Sequence, residues 1–293
     1  MIRKILTKLA LGLAVAAGAV GGAAAAEGGY PLDFFPQNKL TEMPSLQNGA
    51  RIFVNQCLNC HSAALMRYNR LTDIGLTEEQ IRKNLLFTAD KVGEPMKTSM
   101  SPRDAKEWFG AMPPDLSVIA RARNSQHGSG ADWLYTYLRA YYRDATRSTG
   151  WNNAVFANVG MPHVFWEQQG PRRGAMIEEI KEVKDEKSGK VTGMVRHVVT
   201  FSETGVRSEK TEPLSDDAHA HTGSTIKLGR AEGGTMNAQQ FDDMVGDLVA
   251  YISFMSDPTA QVRKRMGVGV LLFLAVMFVF VWRLNASYWK HVK

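Results

Sequence analysis

The chain has 293 residues, room for one large domain or two small ones, with ordinary globular composition and no evident repeat. Its net charge of +6 belongs to the ends: residues 1–26 and 263–293 hold nine of the 35 basic side chains and no acid, so 27–262 keeps 26 basic against 29 acidic groups, a net of −3. No basic stripe or reading motif remains to support nucleic-acid binding, and two cysteines three positions apart leave no disulfide framework.

In chain order, residues 1–26 have the pattern of a cleaved secretory signal. Arg3, Lys4 and Lys8 lead into the apolar run Leu9–Val20, and Ala23–Ala26 offer a small-residue cleavage site. Residues 27–44, punctuated by Pro and Gly, predict an extended arm. Ser45 is a candidate N-cap, and Leu46, Ala50, Phe53, Val54 and Cys57 recur at helical spacing.

That helix runs into Cys57-Leu58-Asn59-Cys60-His61, which reads C-x-x-C-H, the attachment signature of a c-type haem. Two thiols at this spacing can add to the two vinyl groups of one porphyrin edge, and the adjacent imidazole can ligate iron. A structural zinc site would want four ligands, and the chain has no third cysteine. A redox C-x-x-C needs no following His and belongs near a β-α-β pattern, which is missing here.

Two further helices are predicted near Glu78–Thr88 and Pro102–Phe109, the second opened by a Ser101 cap and a proline in its first turn. Gly110–Ser117 carries two prolines and must be extended. Asp132–Tyr142, rich in aromatic and aliphatic side chains, reads as a buried helix filling the core. Met176–Lys184 and Val191–Phe201 flank the turn signal Asp185–Gly189 and predict a β-hairpin excursion, about 176–210. Residues 203–234 are polar and Gly-rich; His219 and His221 lie there without other ligands at useful spacing and read as a solvated loop.

Asn237 and Gln240 form a capping-box signal for a helix with its apolar stripe at Phe241, Val245, Leu248, Ile252 and Met255, ended by Asp257-Pro258. Met266–Trp282 is then free of charge for 17 residues, about 25 Å of helix, which predicts one transmembrane anchor with Arg265 and Arg283 at its ends. With the body exported, 27–262 is the outer domain, and 263–293 is the anchor with a short cytoplasmic tail.

A haem held by one His needs its other axial position explained. Met112 and Met161 both sit in loops before a proline. By spacing from His61 alone, as in small soluble cytochromes c, Met112 is favoured.

Several separated blocks carry a more specific resemblance: Asn48–Ser62, Arg67–Leu71, Met112–Arg123 (MPPDLSVIARAR), Gly160–Trp166 and Val262–Gly267 (VRKRMG). Together they resemble cytochrome c1, the haem subunit of the ubiquinol–cytochrome c oxidoreductase (cytochrome bc1) complex, in a proteobacterial form. The resemblance implies a mainly α, class I cytochrome c-like domain around one covalent haem c, with the hairpin and the single C-terminal anchor added. It implies Cys57 and Cys60 as haem attachments, His61 as axial ligand, Arg123 paired with a propionate and Pro113 against the ring. It also turns the second ligand to Met161, because the family position matching Met112 is often Leu. A position often Tyr in the family falls near Trp133, with no role assigned. The implied function is a one-electron relay from the Rieske iron–sulfur protein to a cytochrome c, beside cytochrome b, on the periplasmic side of the bacterial inner membrane and in contact with its lipid. A membrane-anchored cytochrome serving a terminal oxidase, and a haem enzyme or gas sensor with open iron, are the alternatives.

Overall fold

The computed structural model describes residues 30–184, 191–214 and 222–291. The proposed signal, the turn at 185–189 and both His219 and His221 lie outside them.

The core is a crossing of two helices, α1 (Met43–Ile52) and α7 (Ala238–Ser256). Leu46, Ala50 and Phe53 on one side meet Val245, Leu248 and Val249 on the other, all buried. Phe53 lies against Tyr251 with ring centroids 5.5 Å apart. The helices approach closely because α1 carries Gly49 at the crossing: a Cβ there would lie 2.0 Å from the Asp247 carbonyl oxygen. α1 starts earlier than the Ser45 cap predicted. Glu42 precedes it, Pro44 occupies its first turn, and Ser45 is buried inside it. A proline is tolerated there because the first turn's N–H groups have no intrahelical partner. From residue 30 onward the arm before it forms no regular element except one 3₁₀ turn, Gln37–Leu40, entered from an extended Pro36.

The other predicted helices form with small shifts. α2 (Glu78–Asn84) has a capping box from Thr77 and Gln80, and α3 (Pro102–Phe109) is capped by Ser101 and ended by Gly110 at φ 78°. A short α4 (Ile119–Ala122) precedes α5 (Gly130–Arg139), capped by Ser129. The predicted helix over Asp132–Tyr142 is therefore displaced. It stops at Arg139, and Tyr141–Arg143 (β3) turns into a strand paired with Trp151–Asn153 (β4). A short pair, β1 (Ala63–Arg67) and β2 (Pro95–Met96), follows the cysteine motif, and a brief α6 (Trp166–Gln169) follows the Met161 loop.

The hairpin expectation falls short. β5 (Ala175–Lys184) and β6 (Val191–Phe201) are the centre of a four-stranded antiparallel sheet, ordered β7-β6-β5-β8, completed by β7 (Arg207–Leu214) and β8 (Gly223–Leu228). Two strands therefore lie in the stretch read as a polar loop. Most of the sheet is at least partly wetted; the edge strand β7 shows no apolar alternation, while the edge strand β8 sets half-buried Ser224, Ile226 and Leu228 against exposed Gly223, Thr225 and Lys227. Among the described residues, the sheet packs on the body at its base, where Ala175, Val199 and Phe201 meet Tyr142. Farther out, cross-strand charge pairs such as Arg196 with Glu178 at 2.8 Å cover it.

α8 (Ala260–Tyr288) buries none of its apolar stretch and is long and apolar enough to cross a membrane. Its 29 residues span about 44 Å. At its start the Asp257 carboxylate accepts hydrogen bonds from Arg263, one of them at 2.8 Å.

Candidate haem site

The cysteine motif is a continuation of α1. A π-helical turn over Phe53–Cys57 delivers the chain to the motif, and the His61 N–H then bonds the Cys57 carbonyl at 2.8 Å. This tight turn puts Cys57, Cys60 and His61 on the wall of one cavity of about 410 Å³. That volume is typical of a small-molecule or cofactor site. The two thiols are not joined to each other. Burial pushes the Cys57 thiol up to about 12 and raises that of Cys60.

Proline chemistry holds the imidazole. The Leu116 N–H donates to the Ser62 carbonyl at 2.8 Å. Asp115 accepts from the Ala64 and Ser117 N–H groups, each at 2.8 Å. So clamped, the P-P-D-L-S segment presents the Pro114 carbonyl to His61 Nδ1 at 2.7 Å. A carbonyl cannot donate, so Nδ1 carries the proton and Nε2 keeps its lone pair. Burial lowers the His61 pKa, partly opposed by the Pro114 carbonyl and the Asp115 charge. A neutral, oriented imidazole is the metal-binding form.

The remaining wall comes from distant segments. Leu248 and Ile252 of α7 close one side, and Pro113 and Met112 contribute from the proline segment. α5 supplies Trp133, Leu134, Tyr137 and Leu138. It packs tightly on α4, since a Cβ on Gly130 would sit 1.8 Å from the Ala120 carbonyl oxygen. That contact brings Arg123 over the Trp133 ring, 4.4 Å from its centroid, and 5.6 Å from that of Phe156. Among the described residues no carboxylate pairs with Arg123. Trp133, whose role the sequence left open, is a platform: it stacks on Tyr137 at 4.8 Å and 12°.

Met161 also lines the cavity. Its loop is held by amide side chains that sequence reasoning passed over. The Asn153 carbonyl oxygen Oδ1 accepts from the Val155 and Phe156 N–H groups, and that of Asn152 accepts from the Asn158 N–H at 2.8 Å. Asp144 in turn accepts from Asn152 Nδ2 at 2.9 Å. Asn158 takes the left-handed conformation, φ 60°, which Asn tolerates better than most residues. Tyr137 Oη donates to Met161 Sδ at 3.5 Å. His163, two residues on, serves packing instead: it stacks on Tyr141 at 4.8 Å, donates to Gln169 at 2.7 Å, and burial lowers its pKa to about 4.

The six predicted site residues thus converge on one cavity from segments as far apart as Cys57 and Met161. The lining is mostly apolar, with one oriented imidazole nitrogen, the thioethers of Met112 and Met161, two thiols and one cation. A haem is a flat apolar ring with an iron, two vinyl edges and two anionic tails, and the donor set fits it.

The sequence pattern of the Cytochrome C1 family matches residues 36–205 and 231–292. The chain belongs to the cytochrome c1 family. It is 35% identical to the cytochrome c1 of Allochromatium vinosum over 254 residues, covering 86% of each chain. With the cytochrome c1 of Rhodospirillum rubrum it shares 28% identity over 273 residues, 86% of this chain and 83% of that one. A protein of Nitrosomonas europaea named "Ammonia monooxygenase gamma subunit" is 38% identical over 248 residues, 85% of this chain and 83% of that one. Like other members of the cytochrome c1 family, the chain is a membrane-anchored, electron-transferring subunit of the bc1 complex carrying one covalent haem c. The outer strands β7 and β8 fall between the two matched stretches.

Proposed function

We propose that this cytochrome c1 relays single electrons from the Rieske iron–sulfur protein to a cytochrome c on the periplasmic face, next to cytochrome b. Residues 1–26 act as its signal, 27–262 as the haem domain and α8 as a single-pass anchor. The observation that carries the site assignment is the His61 imidazole, fixed by the Pro114 carbonyl, in an apolar cavity that both cysteines and Met161 also line. When bound there, haem supplies one-electron chemistry at iron. Cys57 and Cys60 would hold the haem through thioether links, His61 Nε2 and Met161 Sδ would be the donors to its iron, Arg123 would meet a propionate, and Pro113 would pack on the ring. The thioether donor and the dry lining both favour the reduced state and a positive potential. Met112 and Phe156, lining the cavity and exposed at 42% and 46%, give it an apolar rim where a partner can approach.

Met161 is preferred to Met112 on two grounds. It packs against the core and its sulfur already has a hydrogen-bond donor. Met112 is exposed, and no hydrogen bond holds its sulfur among the described residues. The test is a pair of variants. Met161→Leu should lower the potential and let the reduced protein bind carbon monoxide, while Met112→Leu leaves both nearly unchanged. Loss from Met112→Leu alone overturns the assignment. A direct part in oxygenation, suggested by the name of the Nitrosomonas europaea relative, would need an iron position open to oxygen. Carbon monoxide binding by the unmodified reduced protein would favour that reading.

A further inference from the structure

Tyr137 is buried on the face of α5 that looks into the cavity, and its hydroxyl does two things at once. It lies 3.5 Å from Met161 Sδ and 2.7 Å from the hydroxyl of Tyr141. The sulfur has no hydrogen to give, so Tyr137 must spend its only proton on Met161. Tyr141 must then be the donor to Tyr137. The chain has one direction, Tyr141 to Tyr137 to Met161.

Each link is held in place by independent packing. Tyr137 is stacked on Trp133 at 4.8 Å, four residues earlier, and its carbonyl accepts from Asn153 Nδ2 at 2.8 Å. Tyr141 is stacked on His163 at 4.8 Å and 5°. Asn153 thus ties the Met161 loop to the turn of α5 that bears Tyr137, and the Tyr–sulfur contact is set by the same pair of segments.

A tyrosine–methionine contact can be simple packing. Tyr251 makes one to Met96, also at 3.5 Å, deep in the core. The Tyr137 contact differs because its acceptor lines the cavity and its donor is itself polarised by a second hydroxyl. We propose that Tyr137, backed by Tyr141, is a positioning residue for Met161: it occupies one sulfur lone pair, leaves the other for iron, and raises the reduction potential. This inference rests on Met161 being the axial ligand.

The sign follows from charge. The positive end of the O–H dipole draws electron density from the thioether, which weakens its donation to ferric iron and favours ferrous. Tyr137→Phe keeps the ring and its stacking and removes the dipole, so the potential should fall. The strength of one hydrogen bond corresponds to about twofold to tenfold in the ferric-to-ferrous ratio, about 20 to 60 mV at about 59 mV per tenfold for one electron. Tyr141→Phe should shift it the same way by a smaller amount, since it removes only the polarisation. In the Tyr137→Phe background, Tyr141→Phe should have no further effect.

The experiment is redox titration of the membrane-extracted holoprotein and these variants, with the methionine–iron charge-transfer band and carbon monoxide binding followed alongside Met161→Leu. A purely structural Tyr137 would change thermal stability and leave the potential alone. An unchanged Tyr137→Phe potential, in a protein where Met161→Leu opens the iron, overturns this inference and spares the ligand assignment. If Met161→Leu leaves the iron closed, the ligand assignment fails first and takes this inference with it. Should Tyr137→Phe yield no holoprotein, the potential of Tyr141→Phe decides: a fall supports the chain of hydroxyls, no change overturns it.

Discussion

Replacing Gly49 with alanine tests the helix crossing on which the site is built. An added Cβ would sit 2.0 Å from the Asp247 carbonyl oxygen and 2.7 Å from Tyr251 Cβ. Neither atom belongs to a flexible side-chain end, and Asp247 is further anchored by Lys39 Nζ and Asn48 Nδ2, each at 2.8 Å. Relief therefore requires α1 and α7 to separate by about 1 Å, opening the densest part of the core. Overpacking of this kind costs about 3 kcal/mol at the upper end of its usual range. The better helix propensity of alanine returns about 1 kcal/mol. The net loss of about 2 kcal/mol should lower the melting temperature by about 4 to 8 °C for a domain of this size. Because α1 leads to Cys57 and α7 carries Leu248 and Ile252, the haem environment should loosen too. The assay is thermal unfolding of the holoprotein by circular dichroism, with Gly93→Ala as control, since nothing lies within 4 Å of a Cβ there. A Gly49→Ala protein as stable as the parent would refute the close-contact account of the core.

Two further outcomes are expected. Burial raises the Asp144 carboxyl, but hydrogen bonds from Thr146 and Asn152 and the Arg147 charge outweigh it, leaving the pKa below the usual carboxylate range. A depressed folded pKa gives stability that is present above the unfolded value and lost as pH falls through the folded one, here from about pH 4 downward. Asp144→Asn should therefore flatten the acid-unfolding profile below pH 4 and cost about 1 to 2 kcal/mol at neutral pH; an unchanged profile would remove Asp144 as its source. Ending the chain after Thr259 should give a haem-loaded domain that stays in solution without detergent, because α8 buries none of its apolar stretch against the body. The Asp257–Arg263 pair lost with it is exposed on the arginine side and worth little. Aggregation or absent haem in that shortened protein would mean that the helix supports the fold.

What could be read in the sequence follows chemistry that is local. The cysteine motif, the proline segment that orients His61 and the apolar anchor each declare themselves within a few residues. Tyr137 could not be singled out, because Trp133, Leu134, Tyr135, Tyr137 and Leu138 all read as core filler, and only the register of α5 decides which of them faces the cavity. Asn152 and Asn153 were silent for a related reason: amides that close a loop look like any polar turn until their partners are known. β7 was missed because a strand wetted on both faces lacks the alternation that marks a strand, and β8 because its alternation is carried by two apolar residues alone, Ile226 and Leu228, in a polar, Gly-rich stretch. Ser45 misled because a proline one residue earlier could stand inside the first turn.

The two sides of the proposed haem site differ in how they are built, and this has a consequence for tuning. His61 follows the cysteines directly, and its partner Pro114 lies on a segment bonded to residues 62–65. Met161 sits at the end of a loop whose position depends on Asp144, Asn152 and Asn153 and on two tyrosine hydroxyls. On the histidine side, Asp115 alone holds two backbone N–H groups, those of Ala64 and Ser117, so one substitution there releases the segment that carries Pro114, right beside the residues that attach the haem. On the methionine side one side chain can be changed at a time, each moving the sulfur or its electron density by a small step. Variation in potential among otherwise intact variants should therefore arise mainly from substitutions on the Met161 side, while substitutions around Pro114 and Asp115 should cost haem incorporation outright.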